Sequence, residues 1–578
     1  MPVDAEPGAE PRLDGGADLL LHSGRVFTGT ALHPAATAVA VAGGRVVAVG
    51  TDDEVRAAVG PAGPRTEVVD LAGRLLLPGF TDAHVHPVMG GIERLGCDLT
   101  GVSGREATLA LLADRAAGTP GEWIVGGGWA MADFAGGTPR REDLDAAVGD
   151  RPAYLVNRDH HGAWVSSAAL RLAGVDATTP DPPDGRIERD ADGSPTGTLH
   201  EGAMDLVGRF LPAVTAATVE AGLAEGQRYL HSLGVTGWQD AIVGQYAGHS
   251  DTTAAYLAAQ AAGTLTARVV GALWWPRGHT VAEVDDVVAT LAARRDAAGA
   301  GRFRATTVKI MLDGVAENRT ASMLTPYLDR CGCASGGSGL SHLDRDLLLA
   351  VVPALDAAGF DVHVHVIGDR AARDALDAVA VARRSPASRG GRHHLAHLQV
   401  VHPDDVPRFA ELDVTANAQA LWACDDAQMS ELTTPFLGPE RSGWQYPFGG
   451  LLRSGARLVM GSDWPVSTPD PWQAIAVAVT RRPPGEPDVA PLLPQHALTL
   501  PEALSAYTAG SAWINRHDDA GVLRPGAVAD LAVCSGDPFT VPASALHELS
   551  VDTTVVGGTV VHDRATTSGG PRRPASTP

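Results

Sequence analysis

The amino-acid sequence predicts an α/β protein: a (β/α)8 barrel of the TIM type, a small β-sandwich built from both chain ends, and an insertion after the first barrel strand. Three observations predict it. Eight apolar runs bounded by glycine or proline alternate with alanine- and leucine-rich helical segments, short β-branched runs cut by turns occupy both ends, and a long segment separates the first two barrel runs.

The N-terminal stretch contains "LLLHSGRVFTG", "TAVAVAGGRVVAVG" and "TEVVDLAGRLLLPG", which read as several antiparallel strands. The same texture returns in "GVLRPGAVADLAVCSGD" and "VDTTVVGGTVVHD". Neither end holds enough strand to close a sandwich alone, so residues 18–77 and 515–564 are expected to form one composite domain. The polar tails, 1–17 and 565–578, are expected to be disordered.

The barrel is expected over 78–514. Its strands are placed at "LLLPGFTDAHVH" (75–86), "GVTGWQDA" (234–241), "TARVVGALWW" (266–275), "RATTVKIML" (304–312), "FDVHVHVIGD" (360–369), "HHLAHLQV" (393–400), "DVTANAQAL" (413–421) and "RLVMGSDW" (457–464). The insertion, about 100–205, carries "GEWIVGGGWA", "DHHGAWVSSAAL" and "DGRIERDADGSPTGTLHEGAM" and is expected to cover the barrel mouth as a lid.

Composition narrows the partners. A net charge of -23 argues against a nucleic-acid backbone or an anionic membrane, both of which attract basic surfaces, and leaves small molecules. Five cysteines, Cys97, Cys331, Cys333, Cys424 and Cys534, make no disulfide framework and favour a reducing cytoplasm. Cys331 and Cys333 lack a second pair at zinc-finger spacing. The acidic start does not read as a secretion signal, and no apolar run approaches the roughly 20 residues that span a bilayer.

One position is singular. Lys309 is the sole lysine among the 45 lysines and arginines of the chain. A primary amine can lose its proton in a buried site, form a Schiff base, or take up carbon dioxide as a carbamate, and a guanidinium can do none of these.

Polar residues gather at the expected strand ends. Strand one ends in His84-Val85-His86, whose alternation points both imidazoles to one side. Strand four carries Lys309, strand five His363 and His365, strand six His397, and strand eight Asp463. Each alone has an ordinary reading, as a hydrogen-bonded core histidine or a helix cap. Together, nitrogen and oxygen donors at five strand ends of one barrel converge on a metal site at its C-terminal rim.

The motifs "LLLPGFTDAHVHP", "VKIMLDG", "HVIGDRA", "LAHLQVV" and "GSDWPVS" resemble those of the amidohydrolase superfamily, in its YtcJ-like branch that includes N-substituted formamide deformylases, from about residue 18 to residue 562. The resemblance implies a metal-dependent hydrolase of C–N bonds. Carried over by motif, it places His84 and His86 on the more buried metal, a carbamylated Lys309 between two metals, and His365 and His397 on the second. Asp463 then contacts the first metal and the attacking water, as the catalytic proton carrier. Two divalent ions are expected, zinc because histidine nitrogen dominates the donor set, together with carbon dioxide as the Lys309 carbamate.

His363 precedes its matched motif by two residues and is expected to be structural. Glu201 is an alternative acidic ligand. His161, Trp129, Trp164 and Asp313 are candidate substrate contacts, the tryptophans as pocket walls. The sequence departs from the family at Ser166, where asparagine is common, and at Ala420, where proline is common, which bears on substrate preference.

The expected reaction is hydrolysis of a linear N-acyl or N-formyl amide. The expected partner is that small-molecule amide, with no nucleic acid and no membrane, and a homodimer is a permitted assembly. A mononuclear deaminase or a lactone hydrolase on the same barrel stays open, as does a non-catalytic assembly protein, although every motif position is filled.

Overall fold

The computed structural model describes residues 16–118, 123–246 and 250–567. The tails expected to be disordered lie outside the described residues except at their inner edges, where Ala17 is buried and Arg564–Thr567 is helical.

Eight parallel strands form the central sheet: β1 (Phe80–Val85), β2 (Val235–Val243), β3 (Arg268–Trp274), β4 (Phe303–Met311), β5 (Asp361–Val366), β6 (His394–His397), β7 (Thr415–Ala418) and β8 (Leu458–Met460), paired in chain order. Beyond β8 the chain meets β1 through two backbone bonds, Asp463 N–H to His84 O at 2.7 Å and His86 N–H to Trp464 O at 2.8 Å. The barrel is drawn together at the residues expected to bind metal. Gly461 permits this approach, because a Cβ there would lie 2.5 Å from the His84 nitrogen.

Strand alternation assigns the faces. In β5, Val362, Val364 and Val366 join the large core that includes residues of the helices Arg345–Ala357 and Asp369–Arg384, so His363 and His365 face the interior. The run expected as one strand over 75–86 is two. Leu75–Pro78 belongs to a different sheet, and the chain turns at Gly79, where a Cβ would lie 2.2 Å from Thr236.

The end segments form two sheets. One comprises Arg45–Gly50, Ala38–Ala42, Leu19–His22 and Glu67–Asp70, and the other Arg25–Val26, Leu75–Pro78, Leu531–Cys534, Val551–Val556 and Thr559–Asp563. Leu19, Leu21, Val39 and Val41 of the first share a core with Leu76, Leu531, Val533 and Val555 of the second. The pairing differs from an all-antiparallel reading. Leu19–His22 runs parallel to Glu67–Asp70, and Arg25–Val26 parallel to Leu75–Leu76, because the intervening chain, including the helix Asp52–Val59, crosses over between them.

Between β1 and β2 the insertion builds a six-stranded sheet in the order Gly185–Arg189, Pro195–Glu201, Gly162–Val165, Ala153–Asn157, Ile124–Trp129, Cys97–Asp98. The loop joining Ala153–Asn157 to Gly162–Val165 brings Arg158, Asp159, His160 and His161 to the barrel cavity. All five cysteines are free, and among the described residues no helix is long and apolar enough to cross a membrane.

Candidate metal centre

His84, His86, Lys309, His365, His397 and Asp463 line one cavity at the C-terminal ends of the barrel strands. Asp463 is its hub. Its Oδ1 lies 3.2 Å from His84 Nε2 and 3.0 Å from His86 Nε2, and its Oδ2 lies 3.9 Å from His397 Nδ1. One donor atom each from His84, His397 and Asp463 falls within 4.8 Å of the others. The His365 ring centroid is 4.5 Å from that of His397, and Lys309 sits in register with His363 on the neighbouring strand.

Backbone strain is concentrated at the same place. His397 (φ 77°), Leu398 (φ 55°) and Asp463 (φ 56°) occupy the left-handed region without being glycine. Each is held by a bond: His397 N–H to Gln419 Oε1 at 2.8 Å, Leu398 N–H to Val366 O at 2.8 Å, and the Asp463 bond to His84. Asp82 adds a clamp, accepting N–H bonds from His84 at 3.0 Å and from Ser462 at 3.0 Å.

The electrostatics suit a cation. Burial pulls the His84 imidazole down to about 3 and the Lys309 amine down to about 7, so neither need carry charge at neutral pH. Burial alone would raise the Asp463 carboxyl, but His84 and His86 against it hold it well below the usual carboxylate range. Asp463 Oδ1, His86 Nδ1 and His397 Nδ1 are buried without a protein hydrogen-bond partner. Buried polar atoms of this kind ordinarily have partners. His84 Nε2 and His86 Nε2, 3.2 and 3.0 Å from the same Asp463 oxygen, bring two nitrogen donors and one oxygen donor to a single point, as ligands around a shared ion are arranged. The donor set fits a divalent metal.

Residues 67–562 match the Amidohydrolase family. The chain belongs to that family. It is 29% identical over 549 residues to the putative amidohydrolase YtcJ of Bacillus subtilis (strain 168), covering 94% of this chain and 99% of that one. It is 28% identical over 572 residues to the N-substituted formamide deformylase of Arthrobacter pascens, covering 95% and 98%. An uncharacterized metal-dependent hydrolase from Pyrococcus horikoshii OT3 superposes with a TM-score of 0.69 at 25% identity, over 91% of this chain and 99% of that one. The protein is a hydrolase acting on carbon–nitrogen bonds other than peptide bonds.

The structure of this amidohydrolase separates the other candidates. His161 lines the cavity, with Nδ1 3.0 Å from both oxygens of Glu201. Burial would lower its pKa, but Glu201 raises it to about 9, and the same pair lowers Glu201 to about 2 against its own burial. Glu201 also accepts from Thr320 Oγ1 at 2.8 Å, so it is committed to His161 and Thr320 and is not a further metal ligand. Ser166 caps the helix Ser167–Ala173. Ala420 leads to Trp422, whose ring stacks on His397 at 5.2 Å.

Three expected substrate contacts are corrected. Trp129 and Trp164 are fully buried in the insertion's own core with Phe134 and Leu155, and their indole N–H groups donate to Leu155 O and Arg140 O, each at 2.9 Å. They are not cavity walls, because they pack in the apolar cluster on one face of the insertion sheet and neither lines the cavity. Asp313 is likewise withdrawn: its carboxylate accepts backbone N–H bonds from Ser322 (2.9 Å), Ile367 (3.1 Å) and Gly368 (2.8 Å), tying three segments together behind His365.

Sequence reasoning passed over Gln239, Asn417, Gln419 and Trp422. Gln419 holds the His397 backbone and bonds Asn417, whose Nδ2 in turn donates to Ala83 O at 2.9 Å. The available signal for Asn417 and Gln419 was the alternation of polar with small residues in "TANAQ", and for Gln239 a buried amide in the apolar run "TGWQD".

Proposed function

We propose that this amidohydrolase hydrolyses a linear N-acyl or N-formyl amide of a hydrophobic amine to a carboxylic acid and the amine. The observation that carries the reading is Asp463, an ionised carboxylate in reach of His84, His86 and His397 at the floor of the cavity. His84, His86 and Asp463 would hold one divalent ion, with zinc expected, and His365 and His397 a second, with Lys309 as a carbamate between them. Bound metal supplies Lewis-acid polarisation of a carbonyl and lowers the pKa of water from 15.7 to about 7. Lys309, near 7, presents the neutral amine that carbamate formation needs.

Asp463 orients the attacking water, accepts its proton, and returns that proton to the leaving nitrogen, which cannot depart as an amide anion. His161, held by Glu201 at the cavity wall on the insertion side, would meet the reacting carbonyl as a cation. Met89, Ile242, Leu421, Trp422 and Val466 give the amine portion an apolar wall. The formamide deformylase relative supports the acyl class, and the free cysteines support a reducing, cytoplasmic setting.

The mononuclear deaminase has one observation in its favour: among the described residues, only His84, His397 and Asp463 bring donor atoms within 4.8 Å of one another. A panel of N-formyl and N-acetyl arylalkylamines, cyclic ureas, lactones and aminopurines decides. Release of amine and acid from the linear amides is expected. Ammonia released from aminopurines alone would replace this reading with the deaminase, and turnover of lactones alone with an esterase-type hydrolase.

A further inference from the structure

Beneath the metal centre runs a chain of buried side chains whose hydrogen-bond directions can be deduced one after another. Asn515 Nδ2 lies 2.9 Å from Ser511 O, a carbonyl that can only accept, so the amide nitrogen faces Ser511 and Oδ1 faces away. Gln239 lies 2.9 Å from that Oδ1 and must donate to it through Nε2. Its Oε1 is thereby turned to His363 Nδ1, 2.5 Å away, and that nitrogen must carry a proton. His363 is fully buried, and its side-chain bonds go to Gln239 and His84, with no carboxylate paired to it. A neutral imidazole has one ring proton, so His363 Nε2 is a bare acceptor. His84 Nδ1, 2.9 Å from it, must then be the donor.

We infer that Asn515, Gln239 and His363 form a one-directional relay that fixes His84 as the Nδ1–H tautomer and so keeps its Nε2 lone pair aimed at the metal position beside Asp463. His363 is a positioning residue. Both its nitrogens are committed, which is why a histidine on the inner face of β5 is not itself a ligand. The tautomer is decided at Ser511, a backbone carbonyl of the helix Ser511–Ile514, far from the cavity in sequence and on the opposite side of the relay. Partners behind a ligating histidine set its tautomer and its basicity in this way.

The inference rests on the reading of His84 as a metal ligand, and the test keeps the two apart. In full-length protein labelled with ¹⁵N-histidine, the ring signal lost in His84→Gln is expected to carry its proton on Nδ1, and a proton on Nε2 would overturn the relay. Zinc affinity by chelator competition supplies a second readout. Gln239→Leu removes the acceptor for His363 Nδ1 and is expected to bind zinc about 10–100-fold more weakly. The same Gln239→Leu change is expected to release the His84 ring proton from Nδ1, since nothing then fixes which His363 nitrogen carries its proton. A Gln239→Leu variant that keeps the His84 proton on Nδ1, or that binds zinc as the unaltered protein does, would overturn the relay, since a packing role would not move the ring proton. If His84→Gln itself binds zinc at full strength, the ligand reading fails, while the ring spectrum still decides the relay.

Discussion

Replacing Lys309 by methionine should stabilise the metal-free protein while removing the amine that the proposed carbamate bridge requires. The buried amine sits at about 7, against 10.5 for an ordinary lysine, chiefly because burial disfavours its charged form. That depression corresponds to about 5 kcal/mol of penalty on the ammonium. The sign follows from proton counting. Below about 7 both folded and unfolded chains hold the proton and the penalty is fully present; between about 7 and 10.5 the unfolded chain binds more protons, so stability rises with pH. Methionine has similar length, packs adaptably and has no charge to bury. In chelator-treated protein without bicarbonate, Lys309→Met is therefore expected to be more stable by up to about 5 kcal/mol at pH 6, with most of the gap closed by pH 10. Urea denaturation midpoints at the two pH values measure it, and comparison with the unaltered protein cancels other titrating groups. A gap that does not change with pH, or a variant less stable at pH 6, would refute the reasoning.

Asp463→Asn should keep the fold and at least one metal but lose about 10²–10⁴-fold in turnover, because it removes the proposed proton carrier; steady-state rates with metal analysis check this. Asp313→Ala leaves three buried backbone N–H groups without their acceptor, and at about 1–3 kcal/mol each should lower the denaturation midpoint sharply. A midpoint unchanged from the parent would dismiss the clamp. Deleting residues 521–578 strips Leu531–Cys534 and Val551–Val556 from the sheet holding Leu75–Pro78 and should give insoluble protein. A soluble, fully active truncation would contradict the composite domain.

The eight barrel strands were legible because each is a short apolar run punctuated by glycine or proline, and the inner face of β5 was legible in the alternation of "DVHVHV". The cavity histidines, Lys309 and Asp463 could be read because barrel geometry gathers strand ends at one rim. What stayed hidden depends on long-range contact. The partners of Asp313 are at 322, 367 and 368, and His363 meets His84 279 positions away, which no local pattern reports. Trp129 and Trp164 lie on strands whose periodicity marks a buried face but not whether that face looks into the cavity or into the insertion's own core. The parallel pairing of Leu19–His22 with Glu67–Asp70 was hidden because crossover and hairpin connections leave the same β-branched texture in sequence.

Metal stoichiometry tests the central claim most directly. Elemental analysis of protein purified without chelator and supplied with zinc and bicarbonate should give two divalent ions per chain, falling in Lys309→Arg, which keeps the positive charge but cannot form the carbamate. Reproducible binding of at most one ion under those conditions, or a Lys309→Arg variant with full metal content and normal turnover, would contradict the binuclear centre.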